Sequence, residues 1–160
     1  MVIVWALSAG IVAITAQSSG PDVDARGLEQ KMTQLINVER EARGLRPLEH
    51  IPILREAARK HSQTMVDMDK VSHETDGSLM EERIREVIEG ACRFGENITK
   101  HYTIEYALSD LMGSPGHRAN LLNPDFTGIG IGIVAGKGGL LYITQDFFSP
   151  CKKNLKKSKK

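Results

Sequence analysis

The sequence contains few aromatic side chains and few cysteines. Phe, Trp and Tyr make up 5% of the chain, which leaves no obvious lining for the apolar groove that a lipid or sterol carrier needs. The two cysteines, Cys92 and Cys151, form no CxxC pattern, so they give little support to a redox or thiolate–metal role. We therefore rank lipid carriage last among the functions considered.

Long hydrophobic runs are also missing. A transmembrane helix needs about 20 apolar residues, and the sequence has no uninterrupted apolar run of that length. The first sixteen residues carry no charged side chain, and a polar break at residues 17–21 follows them. Small residues at Ala16, Ser18 and Gly20 offer cleavage positions for a signal peptide. We interpret residues 1–20 as an export segment, either a cleaved signal peptide or a retained membrane anchor, and expect the rest of the chain outside the cytosol.

An excess of positive charge is found only in the last ten residues. The net charge of the chain is +1, but residues 151–160, the lysine tail, contain six lysines, and without them the net charge is −5. We expect this tail to be disordered, and either simply solvated or attached to an anionic membrane surface or a cell-wall polymer. No aromatic residue lies among the lysines, so we do not expect nucleic acid as a partner.

The even number of cysteines leaves two alternatives open. In an exported protein Cys92 and Cys151 can form a disulfide, and closing a loop of about 60 residues would contribute roughly 4 kcal/mol in the chain-entropy model. Two buried free thiols are the other interpretation.

Hydrophobic periodicity predicts helices followed by a hairpin. Apolar residues at intervals of three and four predict four helices, at 28–43, 54–70, 78–89 and 103–112. Alternating residues predict two strands, at 127–135 and 140–148, joined by a glycine-rich turn. Every second residue from Gly128 to Gly132 is glycine, so a helix or a site is expected to pack closely on that face. His61 shares the apolar stripe of the second helix, and we interpret it as a hydrogen-bonded core residue.

Three polar residues at predicted element boundaries suit metal or proton chemistry. The imidazoles of His73 and His117 can coordinate a metal ion, and Glu96 can act as a third ligand or as the general base for a bound water. The spacings, 44 residues between the histidines and 23 from His73 to Glu96, match no short zinc signature. Spacing alone favours surface histidines.

A series of short motifs changes that interpretation. In chain order they are Asn37-x-x-Arg40 with Gly44-Leu45-x-x-Leu48, Ala58-x-x-His61-Ser62, Ser72-His73, Arg83 with Gly90, Gly95-Glu96-Asn97-Ile98, Ser114-Pro115-Gly116-His117-Arg118, Gly130-Ile131-Gly132 and Tyr142-x-Thr144-Gln145-x-Phe147. Together they resemble a CAP domain, also called the SCP/PR-1 family, in the short form of secreted microbial proteins. The resemblance covers residues 27–150, between the export segment and the lysine tail.

The resemblance implies an α+β fold, an α-β-α sandwich with a small antiparallel sheet between helical layers. It also implies a cleft that binds a divalent metal, zinc being the expected ion, through His73 and His117, with Glu96 beside them. The family pattern has a second glutamate on the helix before the last histidine, and this chain has none at the matching place. Asn37, Arg40 and Asn97 are expected to make internal hydrogen bonds, with Arg40 also expected to form an ion pair.

Two functions follow from this resemblance. The first is an exported module that binds a divalent metal and engages an extracellular ligand or surface, which the incomplete acidic set favours. The alternative is a metal-assisted hydrolase of a peptide or wall amide, in which Glu96 is the general base. Fold alone does not decide between them.

Overall fold

The computed structural model describes residues 24–75 and 77–151. Helices and strands in these residues follow the order α1 (Ala25–Glu41), β1 (Glu49–His50), α2 (Pro52–Asp67), α3 (Met80–Val87), β2 (Ala91–His101), α4 (Ile104–Gly113), α5 (Pro115–Leu121), β3 (Gly128–Ala135) and β4 (Leu141–Pro150). Both the export segment and the lysine tail after Cys151 lie outside the described residues. None of the described helices is long and apolar enough to cross a membrane.

The four strands form one sheet in the order β1-β3-β4-β2. The pairs β3–β4 and β2–β4 are antiparallel, whereas the short β1 runs parallel to β3. The sheet therefore ends at β2, and one side of that strand is left without a neighbouring strand. Helices α3, α4 and α5 all contact β2, so helices, and not a further strand, lie beside this end of the sheet.

The two faces of β3 separate the helical layers. Ile129, Ile131 and Ile133 are fully buried in the main core with side chains from α1, α4 and α5. Successive side chains of a strand point to opposite faces, so the intervening glycines face the other layer, which α2 forms. The predicted α-β-α sandwich is confirmed.

Glycines on β3 let α2 lie directly on the sheet. A Cβ at Gly132 would overlap the backbone of α2 at Ala58 and Arg59, and one at Gly130 would overlap it at Leu54 and Arg55. The expectation of a closely packed helix on this face is confirmed. Gly128 differs, because its face is occupied by the ring of Phe148.

Arg40 and Asn37 fix α1 to the loops beside it. The buried Arg40 guanidinium donates from Nη1 to the carbonyl oxygens of Leu121 and Asn123, at 2.7 and 3.0 Å. Asn37 bonds both the N–H and the C=O of Leu48. The predicted internal hydrogen bonds are confirmed, but Arg40 forms no ion pair with any described residue and is held by carbonyl groups instead.

A disulfide joins Cys92 of β2 to Cys151, which directly follows β4, with the two Cα atoms 4.8 Å apart. The Cys151 N–H also donates to the carbonyl of Gly90. The alternative of two free thiols is therefore wrong. The lysine tail therefore begins at a residue that the disulfide links to β2.

Three elements were not predicted from the sequence, namely β1, β2 and α5. The first has two residues and α5 has seven, too short for a period to be visible. The 11-residue β2 has four consecutive buried residues, at 95–98, because helices cover both of its faces. Its polar residues form hydrogen bonds with residues on both faces of the sheet, so the sequence of β2 does not alternate between apolar and polar residues.

Candidate functional site

Glu96 lies at the centre of the site, on the edge strand β2, and is only 5% exposed. Its Oε1 accepts a hydrogen bond from His73 Nδ1 at 2.6 Å, because a carboxylate oxygen can only accept. Its Oε2 accepts from Arg83 Nη2 at 2.5 Å. The buried carboxylate is thus paired with an arginine from α3 and hydrogen-bonded to a histidine from the loop before it, as a buried charged group requires.

His73 is held in place through its backbone as well as its ring. His61 Nε2 donates to the carbonyl of Ser72 at 3.0 Å, and Arg83 Nη1 donates to the carbonyl of His73 at 3.2 Å. The side chain of His73 is nevertheless 56% exposed. Because Nδ1 carries the hydrogen bonded to Glu96, the neutral ring presents the lone pair of Nε2 as its available ligand atom.

His61 is 2% exposed and lies on α2. Its Nδ1 lies 3.1 Å from Thr75 Oγ1, and its Nε2 lies 3.7 Å from Glu96 Oε2. The interpretation of His61 as a hydrogen-bonded core residue is confirmed. It supports the site by fixing the loop that carries His73.

His117 reaches the same edge of the sheet from the opposite layer. It lies on α5, and its carbonyl accepts a hydrogen bond from Asn97 Nδ2 at 3.1 Å. Asn120, also on α5, donates to the carbonyl of Glu96 at 3.1 Å. These bonds dock the helix on β2 beside Glu96. Within residues 24–75 and 77–151, no hydrogen bond or ion pair joins the half-buried His117 ring to His73 or Glu96.

A second carboxyl, Asp146 of β4, lies opposite Glu96 in the antiparallel ladder. It is 1% exposed, and neither of its oxygens accepts a hydrogen bond from a described residue. Burial raises the pKa of Asp146 well above its usual range, and the charge of Glu96 raises it further, while Arg83 acts in the opposite direction. The sequence analysis missed this residue, although an acid within a strand of otherwise buried residues was a visible signal.

The acidic residues near the absent family glutamate lie elsewhere. Glu105 pairs with Lys31 at 2.5 Å, and Asp110 pairs with His101 at 2.8 Å, both on exposed positions of α4. These two carboxylates are therefore engaged with other side chains and not with Glu96.

The arrangement of His73 and Glu96 is the one that metal-binding histidines commonly use. Such a histidine donates its second ring N–H to a carboxylate, which fixes the ring and its tautomer. The described residues contain no group of three or more His, Cys, Asp or Glu side chains arranged to hold a metal ion. Metal binding by His73 and His117 therefore stays a prediction from the sequence.

Comparison with known proteins gives consistent matches. A family model, described as CAP, cysteine-rich secretory protein family, matches residues 33–147. The chain is 39% identical over 109 residues to YkwD of Bacillus subtilis (strain 168), an alignment covering 66% of this chain and 42% of YkwD. It is 34% identical over 122 residues to the membrane protein YlbC of the same organism, covering 74% of this chain and 34% of YlbC. The chain thus spans less than half the length of these curated relatives.

Solved structures share the fold. An extracellular protein containing a SCP domain from Bacillus anthracis is 29% identical, with a TM-score of 0.72, and the match covers 82% of this chain and 45% of that one. An outer surface protein from Borrelia burgdorferi is 17% identical, with a TM-score of 0.76, and the match covers 81% of this chain and 97% of that one. The second likeness concerns the fold alone.

Proposed function

The chain belongs to the CAP family, the cysteine-rich secretory proteins, and from that premise we propose that it is an exported binding module with a divalent metal site at His73 and His117. The observation that carries the proposal is the hydrogen bond from His73 Nδ1 to the buried Glu96. It fixes an exposed imidazole in the tautomer that offers Nε2 to a ligand. An exposed imidazole is already solvated and needs no carboxylate partner. The hydrogen bond to Glu96 therefore favours a role for the His73 ring in binding a metal ion.

Export is supported by two observations. The first sixteen residues are uncharged and end at a polar break, as in a signal peptide or an anchor. The Bacillus anthracis structure at 29% identity is that of an extracellular protein. We therefore propose that the domain works outside the cytosol, either free or held at the membrane.

Zinc is the divalent ion that we propose, because imidazole nitrogen is one of its preferred ligands. Two protein ligands would leave coordination positions to water or to a ligand oxygen. A bound ion would supply a Lewis acid that polarises such an oxygen. His73 would contribute Nε2, while Glu96 and Arg83 would keep its ring and backbone in place.

The position of Glu96 favours binding over hydrolysis. Its two carboxylate oxygens accept hydrogen bonds from His73 and Arg83. To act as the general base of a hydrolase, Glu96 would have to give up one of these bonds to take a proton from water. We therefore assign it the role of orienting His73.

For the partner, we propose an extracellular ligand or surface, with the lysine tail contributing attraction to a cell-wall polymer or an anionic membrane. The tail starts at Cys151, which the disulfide fixes to β2, so six positive charges are attached to the folded domain at one defined point. Each lysine near an anionic membrane contributes about 1 kcal/mol of attraction.

Calorimetric titration of zinc into the purified protein tests the metal site. We expect one saturable site that is lost in the His73→Ala plus His117→Ala double variant. The matched control is His101→Ala, since His101 is hydrogen-bonded to Asp110 and is not a proposed ligand, so its removal should leave the affinity unchanged. Equal zinc affinity in the double variant and the wild type would contradict the proposal.

The Glu96→Gln variant separates the two functions. An orienting role predicts zinc affinity lower by roughly 10- to 100-fold, as is typical when a metal ligand loses its carboxylate partner. A hydrolase with Glu96 as its base would instead retain zinc and lose turnover of peptide or wall-amide substrates.

A further inference from the structure

A second concave surface lies between α2 and α3. We call it the α2–α3 groove, and its volume is about 360 Å³, within the range of small-ligand pockets. Ile53, Ala57 and Lys60 of α2 line one wall, and Glu82, Glu86 and Val87 of α3 line the other. His61 and Arg83 lie at its polar end, where both contact Glu96.

The charged residues of α3 are arranged unequally around the helix. Glu81 pairs with Arg85 at 2.7 Å, one turn further along the helix. Glu82 and Glu86 have the same spacing but line the groove, and neither forms an ion pair with any described residue. Two like charges at this spacing repel each other and destabilise a helix. Lys60 lines the facing wall but forms no salt bridge with either glutamate in the described structure, so a further positively charged group in the groove would reduce that repulsion.

Arg83 supplies a second, independent indication of a ligand. Its Nη1 and Nη2 groups are satisfied by Ser78, His73 and Glu96. Its buried Nε has no acceptor within the described part of the chain. A buried donor without a partner is unfavourable, because it has lost its hydrogen bonds to water. An acceptor oxygen at this end of the groove would remove that cost.

The walls between these polar groups are apolar. Ile53 is 53% exposed, and it lines the groove together with Val87 and the small side chain of Ala57. An aliphatic chain of a few carbons would cover these surfaces. The groove thus offers an anionic subsite, an apolar subsite and a hydrogen-bond donor.

We propose that the α2–α3 groove binds a peptide unit with an aliphatic ammonium side chain, such as a lysine-like residue. The ammonium group pairs with Glu82 and Glu86, the methylene chain packs on Ile53 and Val87, and a peptide carbonyl accepts from Arg83 Nε. A neutral sugar would leave the carboxylates unpaired. This site shares Arg83 with the surroundings of His73, but neither His73 nor His117 is among the residues proposed to contact its ligand.

The test is an NMR chemical-shift titration of the protein with Nα-acetyl-L-lysine amide. Nα-acetyl-L-norleucine amide serves as the matched probe, because it keeps the aliphatic chain and the amide groups but lacks the ammonium. We expect saturable shifts confined to α2 and α3, with an affinity at least roughly tenfold higher for the lysine probe, since a charge-assisted contact is absent from the other. Absence of saturable shifts, or equal affinity for the two probes, would overturn the proposal.

The Glu82→Gln plus Glu86→Gln variant should lose that preference for the lysine probe. Glutamine at position 82 can still accept the hydrogen bond that Glu82 Oε2 receives from the Leu79 N–H, so the start of α3 is preserved. The control variant, Glu81→Gln plus Glu89→Gln, removes two exposed carboxylates that do not line the groove and should keep the preference. Loss of the preference in both variants would indicate a general charge effect and would also overturn the proposal.

His73→Ala separates this site from the metal site. We expect the variant to lose zinc affinity while binding the lysine probe as the wild type does. If it loses the lysine probe as well, the groove is not the independent site proposed here.

Discussion

Glu96 and Asp146 lie directly opposite each other on β2 and β4, but only Glu96 has hydrogen-bond donors. Arg83 and His73 satisfy its two oxygens, whereas no described residue donates to Asp146. An ionised Asp146 would be a buried charge beside the carboxylate of Glu96, which is unfavourable although Arg83 offsets part of the cost. Burial and the charge of Glu96 therefore hold the pKa of folded Asp146 above its usual range.

The first prediction concerns the pH dependence of stability. An aspartic acid whose pKa is raised by folding stabilises the fold while it is protonated. This contribution is complete below the unfolded-state pKa of roughly 4 and is lost as pH rises through the raised pKa of folded Asp146. Asp146→Asn removes this dependence. We expect the variant to match the wild type near pH 4 and to be more stable at neutral pH, by on the order of 1–3 kcal/mol.

Urea unfolding from about pH 4 to about pH 8, the range above the unfolded-state pKa, measures this difference with disulfides intact. Asp67→Asn is the control, since Asp67 is exposed and accepts a hydrogen bond from Gln63 that asparagine can also accept. A constant difference between Asp146→Asn and the wild type across this pH range would show that Asp146 does not titrate as described.

The second prediction concerns Arg40, which is held by the carbonyl groups of residues 46, 121, 123 and 126. Arg40→Ala should lower the free energy of unfolding by about 3–5 kcal/mol, because several buried carbonyls lose their donor and a large side chain is removed. Thermal unfolding monitored by circular dichroism measures the loss. Arg43→Ala is the control, as Arg43 lies just after the end of α1, is exposed and pairs with Glu39 of that helix; similar losses in both variants would contradict this role.

A third prediction follows from the contact between β3 and α2. Gly132→Ala places a methyl group where the α2 backbone lies, so we expect a loss of about 1–3 kcal/mol or more from overpacking. At Gly113, on α4, a Cβ would meet nothing within 4 Å, and Gly113→Ala should be neutral or stabilising. Chemical unfolding of both variants compares them, and an equally stable Gly132→Ala would mean that α2 can move away without cost.

The fourth prediction concerns the crosslink between Cys92 and Cys151, which are 59 residues apart in the chain. Replacing both by serine should destabilise the protein by at most roughly 4 kcal/mol, the chain-entropy value for this loop length. Dithiothreitol should lower the melting temperature of the wild type and leave that of the double variant unchanged. A wild type insensitive to the reductant, with the bond shown by mass spectrometry to be reduced, would contradict a stabilising role.

The sequence was sufficient to predict the helices α1 to α4 and the strands β3 and β4. Each of these helices buries one face, so apolar residues recur at helical intervals, and the glycines of β3 correctly indicated a helix packed against the sheet. Asn37 and Asn97 were also predicted correctly as internal hydrogen-bonding residues. For Arg40 the prediction of internal hydrogen bonds was correct, whereas the predicted ion pair is absent among the described residues.

The environment of Glu96 was harder to predict because it depends on long-range register. Asp146 becomes its neighbour only through the pairing of β2 with β4, and β2 shows no apolar alternation because Glu96 and Asn97 find polar partners in opposite layers. Arg83 appeared among the sequence motifs, but its role depends on where α3 packs. No local pattern indicates that it bonds both Glu96 and the backbone of His73.

The central claim is that His73 and His117 bind a divalent metal, with His73 using Nε2. Long-range ¹H–¹⁵N NMR of the imidazole nitrogens during a zinc titration tests it most directly. We predict metal-induced shifts at His73 Nε2 and at one ring nitrogen of His117, while the rings of His50, His61 and His101 keep their resonances. Zinc shifts at His73 Nδ1, at the other three histidines only, or at no histidine would contradict the account.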